Sequence, residues 1–163
     1  MANLLKTIVD FFYRTNAKRN RFEDKNKVKT LAADAAKGII IANNSEITRG
    51  SKWALSQRSI IFLTDKAVFC GKWNIPIESI DSASMVRFKS IFGGGQVLKI
   101  DTLDKKCYQF GMQVNNEWRN QKALNITFED GKVKTPTSTI ILWLIMSGIS
   151  IYWLLLKFGV IFK

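Results

Sequence analysis

The chain carries two cysteines and no histidine. Without imidazole there is no ordinary general base, no histidine metal ligand and no Ser/His or Cys/His pair. Cys70 and Cys107 are not spaced as a metal or redox pair, and both fall in strand-like runs where a free thiol serves as a small buried hydrophobe. Activating either thiol would take a Lys or Arg neighbour or a helix N-terminus. The reading is therefore non-enzymatic, with no cofactor and no metal. A surface offers more. In Arg87-Phe88-Lys89-Ser90-Ile91-Phe92, which precedes three glycines, Ile91 and Phe92 could enter acyl chains while Arg87 and Lys89 meet phosphates. The plainer alternative has Ile91 and Phe92 plugging one end of the fold with both cations solvated. Lys105 and Lys106 either add to the same field or are ordinary turn residues. The glycines at 93–95 lack the helix, Lys and Ser/Thr of a phosphate cradle.

The elements that must hold these residues start with an amphipathic helix at 3–14. Leu4, Leu5, Ile8, Val9, Phe11, Phe12 and Tyr13 share one broad face, and Asn3, Lys6, Thr7, Asp10 and Arg14 share the other. Arg14, Lys18, Arg19, Arg21, Lys25, Lys27 and Lys29 follow, diluted by Glu23 and Asp24. An aromatic helix beside a polybasic stretch reads as a membrane-interface helix with Leu5, Ile8 and Phe12 in contact. Equally, it reads as a helix packed on the following domain, with a solvated basic linker. The whole chain has a net charge of +12, which suits an anionic membrane surface better than nucleic acid once an anchor is added.

Residues 31–37 read as a short Ala-rich helix or linker. Strands follow at 38–42, 52–57, 59–63, 67–70 and 82–88, with 73–77 at an edge or bend because of Pro76. Residues 96–102 and 107–112 alternate cleanly around a turn and make a hairpin. A helix at 115–124 carries Trp118 into the mouth of a small antiparallel barrel or bent sheet, and 126–134 reads as a last hairpin around Asp130-Gly131.

The ordered landmarks Ile60-Ile61-Phe62-Leu63-Thr64-Asp65-Lys66-Ala67-Val68-Phe69, Ile75-Pro76-Ile77-Glu78-Ser79-Ile80, Val97-Leu98-Lys99-Ile100 with Tyr108-Gln109-Phe110, and Trp118 in a closing helix resemble the GRAM branch of the pleckstrin-homology superfold over about residues 36–124. The resemblance implies a seven-stranded barrel capped by a C-terminal helix, binding membrane lipids or protein partners without catalysis. The basic signature between the first two strands by which many pleckstrin-homology domains hold phosphoinositides is not clear here.

From 139 to 156 no ionisable group occurs except the Tyr152 phenol. That length of helix rises about 27 Å, close to the roughly 30 Å hydrocarbon layer. The expected arrangement is a tail-anchored, single-pass protein in three parts: 1–35, an amphipathic helix and basic linker; 36–134, a GRAM/PH-like domain; and 135–163, a transmembrane anchor. All Lys and Arg except Lys157 and Lys163 precede the span, which favours a cytoplasmic N-terminal domain. Ser147 and Ser150 offer a seam for another transmembrane subunit. The function expected is binding of anionic membrane lipid, or alternatively service as an accessory subunit of a larger membrane complex.

Overall fold

The computed structural model describes residues 4–41, 53, 56–88, 94–131 and 137–157. Two helices, α1 (Leu4–Tyr13) and α2 (Thr15–Asn26), precede strands β1 (Ala32–Ile41), β2 (Gln57–Leu63), β3 (Ala67–Cys70), β4 (Trp73–Pro76), β5 (Ile80–Phe88), β6 (Gly95–Thr102) and β7 (Cys107–Met112). A single helical turn, α3 (Glu117–Asn120), leads to β8 (Thr127–Asp130), and α4 (Thr137–Lys157) comes last. The eight strands form one sheet in the order β4-β3-β2-β1-β7-β6-β5-β8, antiparallel except where β8 runs parallel to β5.

This corrects the expected seven-stranded barrel with a helical lid. Among the described strands the sheet is open, with β4 and β8 at its edges. Pro76 ends the β4 edge, where a missing N–H breaks no ladder. The lid is one turn of helix, and the described part of the expected last hairpin, 126–131, does not fold back on itself. After Ile126 the chain lies alongside β5 with Phe128 opposite Met85, and Gly131 N–H donates to Arg87 O.

β1 departs most from expectation. Its Ala-rich run is a strand buried on both sides, so polar and apolar residues do not alternate along it. Ala32 and Ala36 join Ile61, Leu63, Leu98, Phe110 and Trp118 in the main core, while Ala33 and Ala35 pack with Ile60 and Phe62 on the opposite face. Val9, Tyr13 and Phe22 from the two helices cover that second face. Small side chains let the helices approach. Glycine does the same at Gly38, where an added Cβ would lie 2.2 Å from Trp73 Cζ3. The expected division at 35/36 thus falls inside a strand. The segment expected as a basic linker is helical, with the Phe22 ring stacked on Phe62 at 4.4 Å and edge-on to Phe69 at 5.1 Å.

The anchor requires a correction too. Among the described residues no helix is long and apolar enough to cross a membrane. Within α4, Ser147, Gly148, Ser150 and Tyr152 interrupt the apolar run. The single-pass, tail-anchored arrangement and the cytoplasmic placement that rested on it fall with this finding. Ser150 turns its hydroxyl to Met146 O at 2.8 Å, so it bonds its own helix.

Candidate functional site

The amphipathic helix forms where the sequence places it, but it is rotated about its axis, so that only part of the apolar face meets the sheet. Lys6, Val9, Asp10 and Tyr13 recur at helical spacing and are the partly covered positions, while Thr7, Ile8, Phe11 and Phe12 face solvent. Phe11 and Phe12 are 79% and 76% exposed. Their rings meet edge to face at 5.9 Å beside an open groove of about 660 Å³ that Arg14 and Asn16 also line. A globular domain normally buries such rings and exposes the charges.

The charges face inward because β7 stops at Met112, opposite Ala36, and leaves Ala33 to Ala35 of β1 without a strand on that side. Side chains fill the gap. Asn115 Nδ2 donates to Ala33 O at 3.1 Å, and Glu117 Oε2 accepts from Ala33 N at 3.0 Å. Lys6 Nζ donates to Asp10 at 2.8 Å and stands 3.5 Å from Asp34 Oδ1. Asp34 is fully buried, and neither carboxylate oxygen receives a hydrogen bond. Burial pushes its pKa up to about 6; the Lys6 charge and the nearby Asn115 amide pull it back only in part, and the Asp10 charge pushes the same way as burial. For Lys6 burial opposes the charge, but the Asp10 hydrogen bond and both carboxylates outweigh it and raise the pKa.

α2 contributes the cations. Arg19 points inward, giving Nε to Thr30 Oγ1 and Nη2 to Thr30 O, both at 2.6 Å, and Nη1 to Glu117 Oε1 at 2.9 Å. Glu23 accepts from Thr30 N at 2.8 Å and from the Thr30 hydroxyl, and these bonds lower its pKa. With that pair occupied, Arg14, Lys18, Arg21, Lys25, Lys27 and Lys29 stay exposed against Asp24. Of these cations, Arg14 lines the same groove as Phe11 and Phe12.

Of the other expected site residues, only Arg87, Lys105 and Lys106 are among the described residues. Lys89, Ile91 and Phe92 lie outside the described residues, as does the side chain of Leu5. Arg87 is half-buried, with its guanidinium 5.5 Å from the Phe128 ring centre and its Nε and Nη2 enclosed without a partner. Lys105 sits in the β6–β7 turn with φ 62°, and Lys106 pairs with Asp104 at 2.6 Å. Arg87 is opposite Gln96, and β6 then runs about 20 Å to Thr102 at the turn. The two basic points therefore occupy opposite ends of the sheet.

Trp118 is buried in the main core, as its expected role requires. Cys70 and Cys107 are buried and unpaired, and burial pushes both thiols up to about 12, so neither is a thiolate near neutral pH. Sequence reasoning missed Asp34, Asn115, Glu117 and Thr30; a lone acid inside an alanine strand was the one visible signal. No protein-family model matches the chain, and no curated protein matches it by sequence.

Proposed function

We propose that the protein is a non-catalytic module that binds anionic membrane surfaces, with Ile8, Phe11 and Phe12 of α1 entering the interface while the cations of α2 meet headgroups. The observation that carries this is the docking of α1, which leaves two phenylalanines in solvent next to Arg14 and on the helix that leads into α2, whose exposed charges are nearly all basic. At about 25 cal/mol per Å² of apolar area, with each buried Phe covering about 150–250 Å², the three side chains supply several kcal/mol. Each cation near an anionic surface adds about 1 kcal/mol.

Sedimentation of the full-length chain with vesicles tests the reading. Acidic vesicles should carry down more protein than neutral ones, and salt should reduce the difference because exposed charges are screened within about 10 Å at 0.1 M. Equal binding to both vesicle types at low salt would refute it. A second reading, an accessory subunit of a larger complex, draws on α4, whose described apolar side chains are exposed, Trp143 and Leu144 at 72% and 68%. Stoichiometric co-purification of another protein that masks α1 would favour that reading.

A further inference from the structure

The two N-terminal helices are fastened very differently. α2 is held by the Phe22 ring between Phe62 and Phe69 and by three Arg19 hydrogen bonds to Thr30 and Glu117. α1 is held by Val9 and Tyr13, and by Lys6, whose hydrogen bond goes to Asp10 of its own helix rather than to the sheet. Near it lies Asp34, fully buried with no well-formed hydrogen bond and only the Asn115 amide and Lys6 as donors close by; Lys6 at 3.5 Å is the one countercharge in reach among the described residues. A buried carboxylate so poorly satisfied opposes the closed state unless its cation stays in place. Its raised pKa reports the same discomfort.

The junction between the helices is itself a hinge position. Arg14 has φ 52° and ψ 44°, the left-handed region that a side-chain-bearing residue enters at a cost, and no side chain caps α2 there. Returning Arg14 to right-handed geometry would straighten the turn and swing α1 away from the sheet.

We propose that α1 is an arm hinged at Arg14 and latched by Lys6 over Asp34, and that opening it adds Val9 and Tyr13 to the face that engages an anionic surface; the second clause rests on the surface-binding reading above. The closed arm presents one apolar side. The open arm presents its whole described apolar circumference and brings Lys6 to the headgroups.

Hydrogen exchange on the full-length chain, with sedimentation on acidic vesicles, tests both clauses using Lys6→Ala and the double variant Lys6→Ala with Asp34→Asn. Lys6→Ala leaves the carboxylate unbalanced and should speed exchange across 4–13 by about tenfold or more, while 15–26 keep wild-type protection. Neutralising Asp34 in the double variant should restore wild-type exchange, a rescue that mere loss of the Lys6 stem would not give. Vesicle binding should rise in the single variant and fall back in the double. Unchanged exchange in Lys6→Ala, failure of the rescue, or joint opening of both helices would overturn the hinge. Correct exchange with vesicle binding that is the same in all three proteins would overturn the coupling but leave the surface reading standing. Correct exchange with no vesicle binding in any protein would sink the surface reading and leave the hinge.

Discussion

Replacing Asp34 by Asn should make the protein more stable at neutral pH. The side chain is fully buried and its pKa stands at about 6 against an ordinary 3.8. Because the folded-state value is raised, the folded protein holds the proton more tightly than the unfolded chain does. Stability therefore falls as pH rises from about 4 to about 6, and the cost of the buried charge is complete above that. At about 1.36 kcal/mol per pH unit, the gap amounts to about 3 kcal/mol as an upper figure. Asparagine keeps the shape and removes the charge. Lys6 loses a neighbour but keeps Asp10 at 2.8 Å, so the net gain expected at pH 7.5 is about 1–3 kcal/mol. Urea unfolding of wild type and variant at a series of pH values between 4 and 8 measures it. The two should converge near pH 4 and separate by pH 7, with the variant losing this part of the pH dependence. A variant less stable than wild type at pH 7.5 would show that the carboxylate stabilises through Lys6 and refute the reasoning.

Gly38→Ala should cost about 1–3 kcal/mol in denaturant unfolding, because the new methyl meets Trp73 at 2.2 Å and Phe110 at 3.0 Å in a packed core; a neutral result would mean that Trp73 is free to move aside. Glu117→Ala removes the acceptor for Arg19 and for Ala33 N–H, and should cost about 1–3 kcal/mol. Glu117→Gln, which keeps an acceptor, should cost less. Native Cys70 and Cys107 should resist a thiol reagent at pH 8 and react at the rate at which the protein unfolds. Rapid labelling of the folded protein would contradict their burial.

The alternation of the β6–β7 hairpin made it legible, and β2 and β3 were legible as short apolar runs bounded by turn residues. Pro76 likewise marked an edge. β1 was hidden because burial on both faces erases alternation, so its alanines imitate a helix or linker. α2 was hidden because it is polar all round and held by particular hydrogen bonds of Arg19 and Glu23, which no periodicity reveals. Asp130-Gly131 suggested a hairpin, yet the strand before it finds a parallel partner in β5. The amphipathic pattern of α1 gave its existence and not its orientation: a wide apolar face says that something covers it without saying which side meets the sheet. Only Asp34 and the gap beyond Met112 explain why Lys6 and Asp10 turn inward; Ile8 and Phe12 beside the basic stretch were legible as a candidate surface, the one we propose α1 and α2 form.

That surface can be read directly with an environment-sensitive fluorophore on Thr7→Cys. Thr7 lies on the exposed side of α1 and leaves Ile8, Phe11 and Phe12 intact, while the buried native thiols stay unlabelled. On adding acidic vesicles to the labelled full-length chain, emission should shift to shorter wavelength as the α1 face leaves water. The shift should shrink with salt, and it should disappear when Phe11 and Phe12 are both replaced by Ser in a protein shown to remain folded. No shift with acidic vesicles at low salt, or an equal shift with neutral ones, would contradict the assignment of α1 and α2 as an anionic membrane-binding surface.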